Sequence, residues 1–402
     1  MNELKFKTLS ENCQICDGEL EIAIDLPKLP LTGIYSQLND ETKINDFDQS
    51  LMLCTRCGHA QLKYSLNPKY LYGETYKFRT SESGTASKGS QFFATYLESL
   101  FPERNFKRIL EFGCNDAYLL ELLSDKGQQL LGIDPIWEGR ETEYQHEKIS
   151  VIGKLLQDVD VENILDGKPD LVVSQHTMEH VEDPKVLLEH LLTKADDDTV
   201  FLFEFPCLDP LLEKFRFDQI FHQHLQYYSV QSFLTLLDQL GCELINYTFN
   251  YTYWGALLIA FRKSKKKGVI NVNRIPKGIY PDKNILEIKS RFQSFQDQMN
   301  MTRTILDGFD SESLYGYGAA LMLPILGYHL STDFSEFKAI FDDDSAKDGL
   351  GYPNLNVPIR QPTNEDFSSL SICLTAMDNR RPILKNLVLK NPKHIINPLT
   401  LI

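Results

Sequence analysis

The spacing of apolar positions changes period along the chain, and the changes mark out elements. Arg108-Ile109-Leu110-Glu111-Phe112 is a compact apolar run stopped by Gly113, which predicts a buried strand. Leu119, Leu120, Leu122 and Leu123 then recur at helical spacing within 117–126, and Leu130-Leu131-Gly132-Ile133 predicts the next strand. Leu171-Val172-Val173-Ser174 and Val200-Phe201-Leu202-Phe203 read as two further strands with a helix around 186–192 between them. Strands alternating with helices imply an α/β fold with a parallel, doubly wound sheet, whose ligands sit above the carboxyl ends of the strands. The theme returns with Ser313-Leu314-Tyr315, the glycine turn Gly316-Tyr317-Gly318, an apolar helix from Ala319 and a strand at 337–341, a second Rossmann-like unit.

Texture divides the chain into a loop-rich, cysteine-bearing stretch at 1–75, an α/β stretch at 76–262 and a second α/β stretch at 263–402. With 402 residues, 42% of them hydrophobic, there is enough chain for two or three domains with cores of their own. A formal net charge of -15 argues against nucleic acid as a partner, because that affinity comes from clustered Lys and Arg. The one basic run, from Lys263 to Lys267, is short and reads as a solvated linker. No apolar run approaches the roughly 18 to 20 residues of a membrane span, and the first residues are charged where a signal peptide is apolar. The expectation is a cytoplasmic protein with no membrane partner, a monomer or small homo-oligomer.

Cysteine usage adds chemistry to the first stretch. Cys13-Gln14-Ile15-Cys16 and Cys54-Thr55-Arg56-Cys57-Gly58 are two knuckles whose four thiolates suit a tetrahedral zinc ion, while Cys114, Cys207, Cys242 and Cys373 are scattered. Four protein ligands leave no open position, so this zinc is expected to be structural.

The turn Glu111-Phe112-Gly113-Cys114-Asn115-Asp116 opens the first helix of the doubly wound unit, and Asp134 follows at the end of the next strand. A dinucleotide fold needs the glycines of GxGxxG to admit a pyrophosphate, and only Gly113 is present. After the predicted fourth strand, Gln175-His176-Thr177-Met178-Glu179-His180-Val181-Glu182-Asp183-Pro184 resembles the corresponding segment of class I methyltransferases. That resemblance implies S-adenosylmethionine as cofactor, with Glu111, Gly113, Asn115, Asp116, Asp134, Gln175 and His176 around it. Asp134 is then the acceptor for the ribose hydroxyls.

Over nearly its whole length the chain resembles the sugar C-methyltransferases that make branched deoxysugars, which combine a cysteine-knuckle domain, a methyltransferase domain and a Rossmann-like C-terminal domain. The most specific segment is Phe217-Asp218-Gln219-Ile220-Phe221-His222-Gln223-His224-Leu225, where the family usually reads F-D-T-I-Y-H-E-H-L. The resemblance implies a nucleotide-linked 4-keto-deoxysugar as substrate and a base that removes the proton next to the ketone, so that an enediolate takes the methyl group. His224 matches that base, His180 and Tyr76 match positions able to hydrogen-bond the developing oxyanion, and His222 and Gln223 belong to the same segment.

Three positions depart from the pattern. Phe221 replaces a tyrosine, Gln223 a glutamate, and Met322 in Gly316-Tyr317-Gly318-Ala319-Ala320-Leu321-Met322 the lysine of G-Y-G-A-P-A-K. Methyl transfer to a sugar hydroxyl, and a non-catalytic nucleotide-binding homologue, are the alternatives these departures leave open.

Overall fold

The computed structural model describes residues 6–38, 44–71, 78–264, 281, 283–363 and 365–399. The chain builds three main sheets. In the middle stretch, α1 (Gly84–Leu100) leads into β4 (Phe106–Phe112), α2 (Tyr118–Leu122), β5 (Gly127–Ile133) and β6 (Ile149–Ile152). Then come β7 (Leu171–Gln175), α3 (Pro184–Thr193) and β8 (Val200–Phe205). Helix α4 (Val230–Gln239) and the strands β10 (Cys242–Asn250) and β11 (Ala256–Lys263) complete the unit. The order across the seven-stranded sheet is β10-β11-β8-β7-β4-β5-β6. Strands β4 to β8 run parallel, and β10 and β11 close one edge antiparallel. Strand order reverses beside β4, where β5 lies on one side and β7 on the other, so the crevice for a ligand opens above the ends of β4 and β7.

The expected strands are all present; those of the middle stretch are longer than their apolar runs, and the one expected at 337–341 is shorter, Ala339–Phe341. Helix α2 is shorter than the leucine spacing suggests: Asn115 and Ala117 both take positive φ, +46° and +63°, which delays helix entry to Tyr118.

The N-terminal sheet consists of β1 (Leu20–Leu29), β2 (Phe47–Cys54) and β3 (Ala60–Leu62). A fourth strand, β9 (Gln226–Tyr227), joins it from the middle stretch and pairs antiparallel with β3. The segment just before β9 carries His222 and His224, so the cysteine-bearing module is built directly against the histidine loop.

In the last stretch, α5 (Ile285–Leu306) precedes β12 (Leu314–Tyr317), α6 (Leu323–Leu330), β13 (Ala339–Phe341), β14 (Ile359–Arg360), β15 (Ser371–Leu374), α7 (Arg380–Lys390) and β16 (His394–Ile396). The five strands are all parallel in the order β14-β13-β12-β15-β16. Helix α5 buries Ile288, Phe295, Met299 and Leu306, a stripe at three- and four-residue spacing. One apolar core runs through Ile24 and Leu51 of the N-terminal sheet, Leu208 and Phe217 of the middle stretch, and Phe295 and Leu323 of the last. Part of the Lys-rich segment expected as a linker, from 265 on, lies outside the described residues. Among the described residues, no helix is long and apolar enough to cross a membrane.

Candidate active site

The four cysteines of the two knuckles converge. Cys13 and Cys16 precede β1, Cys54 ends β2, and Gly58 at φ +71° turns the chain back after Cys57. All four sulfurs lie within 4.8 Å of one another, with Sγ separations of 3.6 Å for Cys13–Cys57 and 3.5 Å for Cys16–Cys54. A tetrahedral zinc with Zn–S bonds of about 2.3 Å requires sulfur separations of about 3.8 Å, so the donor set fits that ion. Hydrogen bonds from Cys13 and Cys57 hold the Cys54 thiol far below the usual range, while the same sharing pushes the Cys13 thiol up to about 12. A divalent cation bound by all four sulfurs would displace the protons they share. Arg56 donates to Cys16 Sγ at 3.3 Å from outside the cluster, a partner that orients a ligand.

At the carboxyl end of β4, the turn from Gly113 to Ala117 faces the turn after β7. Gly113 has φ +67°, and a Cβ there would sit 2.0 Å from Thr177 Oγ1, so glycine is required by the approach of the second turn as well as by backbone conformation. His176, in that second turn, also takes a positive φ of +52°. Left-handed backbone at Asn115, Ala117 and His176 costs on the order of 1 kcal/mol each and marks the crevice as a place where local preference yields to geometry.

Asp134, at the end of β5, accepts from the Asn115 amide at 2.9 Å and the Ile136 amide at 3.0 Å, one on each carboxylate oxygen. Burial nevertheless pushes its carboxyl above the usual range. The second lone pair of each oxygen is what a ribose diol would use. Asp116 binds the amide and hydroxyl of Ser81 at 2.9 and 2.6 Å, and the Asn115 side chain bridges the Thr80 amide and the Phe78 carbonyl. The structure therefore gives these two residues the task of tying 78–81 across the mouth of the crevice. Glu111 is 2% exposed with Oε2 unpartnered, and burial together with Asp134 and Asp116 pushes its carboxyl well above the ordinary value.

Around the end of β7 the charges are arranged in a chain. Gln175 accepts from Ser90 at 2.6 Å and donates to Glu204 at 3.1 Å. The His176 ring stacks on Tyr253 with centroids 4.2 Å apart, and places Nδ1 3.3 Å from Glu179 and Nε2 3.6 Å from Glu204. Burial alone would lower its pKa, but the two carboxylates outweigh that and raise it to about 9. For Glu179 burial raises the pKa, but His176, His180 and His224 outweigh it and lower it to about 2. The result is a buried imidazolium–carboxylate pair.

The other side of Glu179 faces two more histidines. One ligand atom each from Glu179, His180 and His224 lies within a 4.8 Å group, and the two imidazole centroids are 5.2 Å apart. His180 Nδ1 lies 2.7 Å from the Gln223 carbonyl, so that nitrogen carries the proton and Nε2 is an acceptor when the ring is neutral. A neutral His180 cannot donate to an oxyanion, contrary to the expectation from sequence; only its imidazolium can. His224 is 8% exposed, its Nδ1 has no partner among the described residues, its ring packs 4.1 Å from that of Phe221, and burial with His180 nearby pushes its pKa down to about 3.

Two other expected residues are turned elsewhere. In the turn from Phe221 to His224, closed by the His224 amide on the Phe221 carbonyl, the two corner residues point into the N-terminal module. His222 has Nε2 3.0 Å from the Leu29 carbonyl and Nδ1 3.4 Å from Gln49 Nε2, which leaves no nitrogen free to act as a base. The Gln223 side chain exchanges two hydrogen bonds with Thr32, at 2.9 and 3.3 Å. Both are structural ties in this geometry, and the catalytic expectation for them is corrected accordingly. Tyr76 lies outside the described residues.

Sequence reasoning missed Glu179, Glu204 and Tyr253. The spacing His176-x-x-Glu179-His180 on a tight turn was the available signal for Glu179; Glu204 and Tyr253 arrive from β8 and the β10–β11 connection and carry no local mark.

Residues 86–247 match a protein family described as "Methyltransferase domain", and residues 13–72 match one described as "Putative zinc binding domain". The chain is similar to the C-methyltransferase NovU of Streptomyces niveus, 23% identical over 367 residues that span 88% of this chain and 86% of that relative. Among solved structures, the N-methyltransferase NodS from Bradyrhizobium japonicum WM9 overlaps at a TM-score of 0.34 and 15% identity, covering 44% of this chain and 98% of its own. Magnesium protoporphyrin IX methyltransferase from Synechocystis PCC 6803 overlaps at 0.33 and 14%, covering 45% and 80%. From the two domain matches and the clustered cysteines, the chain is a methyltransferase whose methyltransferase domain follows a four-cysteine zinc-binding module.

Proposed function

We propose that the protein is an S-adenosylmethionine-dependent C-methyltransferase acting on a nucleotide-linked 4-keto-deoxysugar, with His224 as the base. The observation that carries this reading is a buried imidazole whose Nδ1 has no partner among the described residues, set beside a carboxylate that His176 holds from its other side. Carbon methylation needs a carbanion equivalent, and a proton next to a ketone is removed by a group with a free lone pair, shielded from water. When His224 takes that proton it becomes an imidazolium next to Glu179, whose negative charge stabilises it. His176, held charged between Glu179 and Glu204, keeps Glu179 ionised and oriented.

S-adenosylmethionine supplies the methyl group when bound. Asp134 would hold its ribose, and Gly113, Asn115, Gln175 and His176 would line the crevice around it. The relative NovU is a C-methyltransferase by name, which favours carbon over oxygen as the acceptor. Phe221 removes an ionisable hydroxyl from the ring that packs on His224, and among the described residues His180 and Glu179 are polar groups that meet it.

The test is incubation with S-adenosylmethionine and a panel of nucleotide-linked 4-keto-deoxysugars, followed by product mass and acid hydrolysis. A branched sugar surviving hydrolysis is the expected product. An O-methyl sugar would overturn the carbon assignment, and no transfer to any keto-sugar would overturn the substrate class.

A further inference from the structure

The reading above requires somewhere to hold the two phosphates of a nucleotide-linked sugar, and the glycine turn of the C-terminal domain carries no cation of its own to do so. After β12, Gly318 takes φ +101°, the Ala319 amide donates to Asp342 at 2.7 Å, and the carbonyls of Ala319 and Ala320 accept from the hydroxyls of Tyr35 and Tyr352 at 2.7 and 2.8 Å. Its first two amides, Gly318 and Ala319, are thus spent on the Phe341 carbonyl and Asp342, and Met322 brings no charge to it.

Positive charge is concentrated elsewhere. Arg216, 3% exposed, forms a two-pronged pair with Asp218 at 2.8 and 2.7 Å and reaches Asp378 at 2.6 Å, so both nearby carboxylates are committed to it. Three further cations surround this pair: Lys214, Arg380 and Arg381. Among the described residues none of the three forms an ion pair. Lys214 rests on the face of Tyr251 at 4.2 Å and donates to the Trp254 carbonyl at 3.2 Å, and Arg380 donates to the Leu399 carbonyl at 3.1 Å. Burial pushes the Lys214 ammonium below its usual range, with Arg381, Arg216 and Arg380 adding to it against the opposing pull of Glu213; burial, Arg216 and Arg381 do the same to Arg380 against Asp218 and Asp378.

Placement makes the arrangement less favourable still for the free protein. Arg380 and Arg381 are the first two residues of the eleven-residue helix α7, whose first turn has no acidic residue. The amino end of a helix carries partial positive charge and disfavours cations. The natural cap, Asn379, is turned away: its Oδ1 accepts from the hydroxyl of Thr85 in α1. Like charges gathered at the wrong end of a helix break a local rule, and the carboxylates that face them, Glu213 beside Lys214 and Asp218 and Asp378 already bound to Arg216, leave part of the compensation unmet. An anion with several oxygens supplies that compensation.

The cluster is joined to the reaction site by a short turn. Tyr253 stacks on His176, and its neighbour Trp254, at a strained φ of +45°, meets the Arg216 guanidinium at 5.6 Å and offers its carbonyl to Lys214. From the other direction, Arg216 opens the segment that ends at His224. We infer that Lys214, Arg380 and Arg381 form the diphosphate-binding subsite, holding the nucleoside diphosphate end of a substrate whose sugar reaches His224. This assignment rests on the nucleotide-linked substrate proposed above.

The experiment is calorimetric titration of the full chain with the diphosphates of thymidine, uridine, guanosine and adenosine, and with inorganic pyrophosphate. It is repeated on Lys214→Gln and on the double variant Arg380→Gln, Arg381→Gln. The expected result is that the wild-type protein binds at least one nucleoside diphosphate. Each variant then weakens that binding by about tenfold or more, the loss of charge-assisted contacts, with S-adenosylmethionine affinity unchanged and a thermal midpoint that is equal to or above that of the wild-type protein. Wild-type binding that both variants retain at full strength would overturn the subsite and leave the substrate reading standing. Failure of the wild-type protein to bind any of the nucleoside diphosphates would overturn both. Pyrophosphate binding as tightly as the nucleoside diphosphates would show that the cations alone, without a nucleoside contact, account for the affinity, which the assignment also expects to be sensitive to the same variants.

Discussion

Replacing His224 tests the proposed chemistry most directly, and the structure sets the form of the result. His224→Ala removes the imidazole that packs on Phe221 and faces His180, while the Gln223 carbonyl that orients His180 is backbone and stays. If His224 is the base, turnover falls by about 100- to 10,000-fold, the usual contribution of general-base catalysis, with cofactor affinity retained. The wild-type pH profile adds a second measurement. Burial holds His224 at about 3, so the ring is neutral throughout the accessible range. An unperturbed imidazole near 6.5 would be only about 3% neutral at pH 5, and kcat/KM would fall there about thirtyfold. With His224 already neutral, kcat/KM measured by product mass is expected to stay flat from pH 8 down to about 5. The substrate adds no limb in that range, because both of its phosphates are esterified. A thirtyfold acid limb centred near 6.5 in the wild-type protein would refute the depression of the His224 pKa by burial, whereas full methylation by His224→Ala would remove His224 from the role of base. His180→Ala would then be the variant to examine.

Three further outcomes follow from the same geometry. Removing the zinc, or replacing Cys57 by Ser, should unfold the N-terminal module and with it displace the histidine loop, because β9 pairs with β3; metal analysis should give one zinc per chain, and a metal-free protein with full activity and unchanged melting would refute the structural role. Asp134→Asn should weaken S-adenosylmethionine binding by about 1 to 3 kcal/mol in calorimetry, and unchanged affinity would place the ribose elsewhere. The His176–Glu179 pair should make stability depend on pH with a definite sign. His176, raised to about 9, contributes fully below about 6.5 and loses its contribution as pH rises through 9; Glu179, lowered to about 2, contributes above about 4.5 and loses it as pH falls through 2. The pair therefore stabilises most between about 4.5 and 6.5, by up to about 3 kcal/mol for the histidine shift, reduced because a fifth of the ring is exposed, 21%. Glu179→Gln should flatten the decline in melting temperature between pH 6 and pH 9; a decline as steep as in the wild-type protein would rule the pair out as its source.

What the sequence shows and what it hides divide along the range of the interactions concerned. The crevice of the sheet was legible because a strand, a glycine and a helix start are consecutive, and the cysteine cluster because two knuckles carry their own turns. In the C-terminal domain, Gly316 looked like part of a turn, yet it lies inside β12, where a Cβ would meet Ile340 Cδ1 at 2.4 Å: close packing against the next strand's side chain, not a change of direction, asks for glycine. The helix expected from Ala319 begins at Leu323, with Pro324 in its first turn, where a missing amide hydrogen costs nothing. The histidines divide in the same way. The segment from Phe221 to His224 is identifiable from its letters, but only the fold decides that the corners of the turn, His222 and Gln223, enter the N-terminal module and that His224 meets His180. That meeting depends on the Leu225 amide donating to the Glu179 carbonyl at 2.7 Å and on Gln226 reaching the Val181 carbonyl at 3.0 Å, bonds between segments more than forty residues apart. A carboxylate buried between three imidazoles is a property of that meeting, so Glu179, which in sequence is one acid among several, becomes visible as the group that sets the charge of the whole site only when the two segments are side by side.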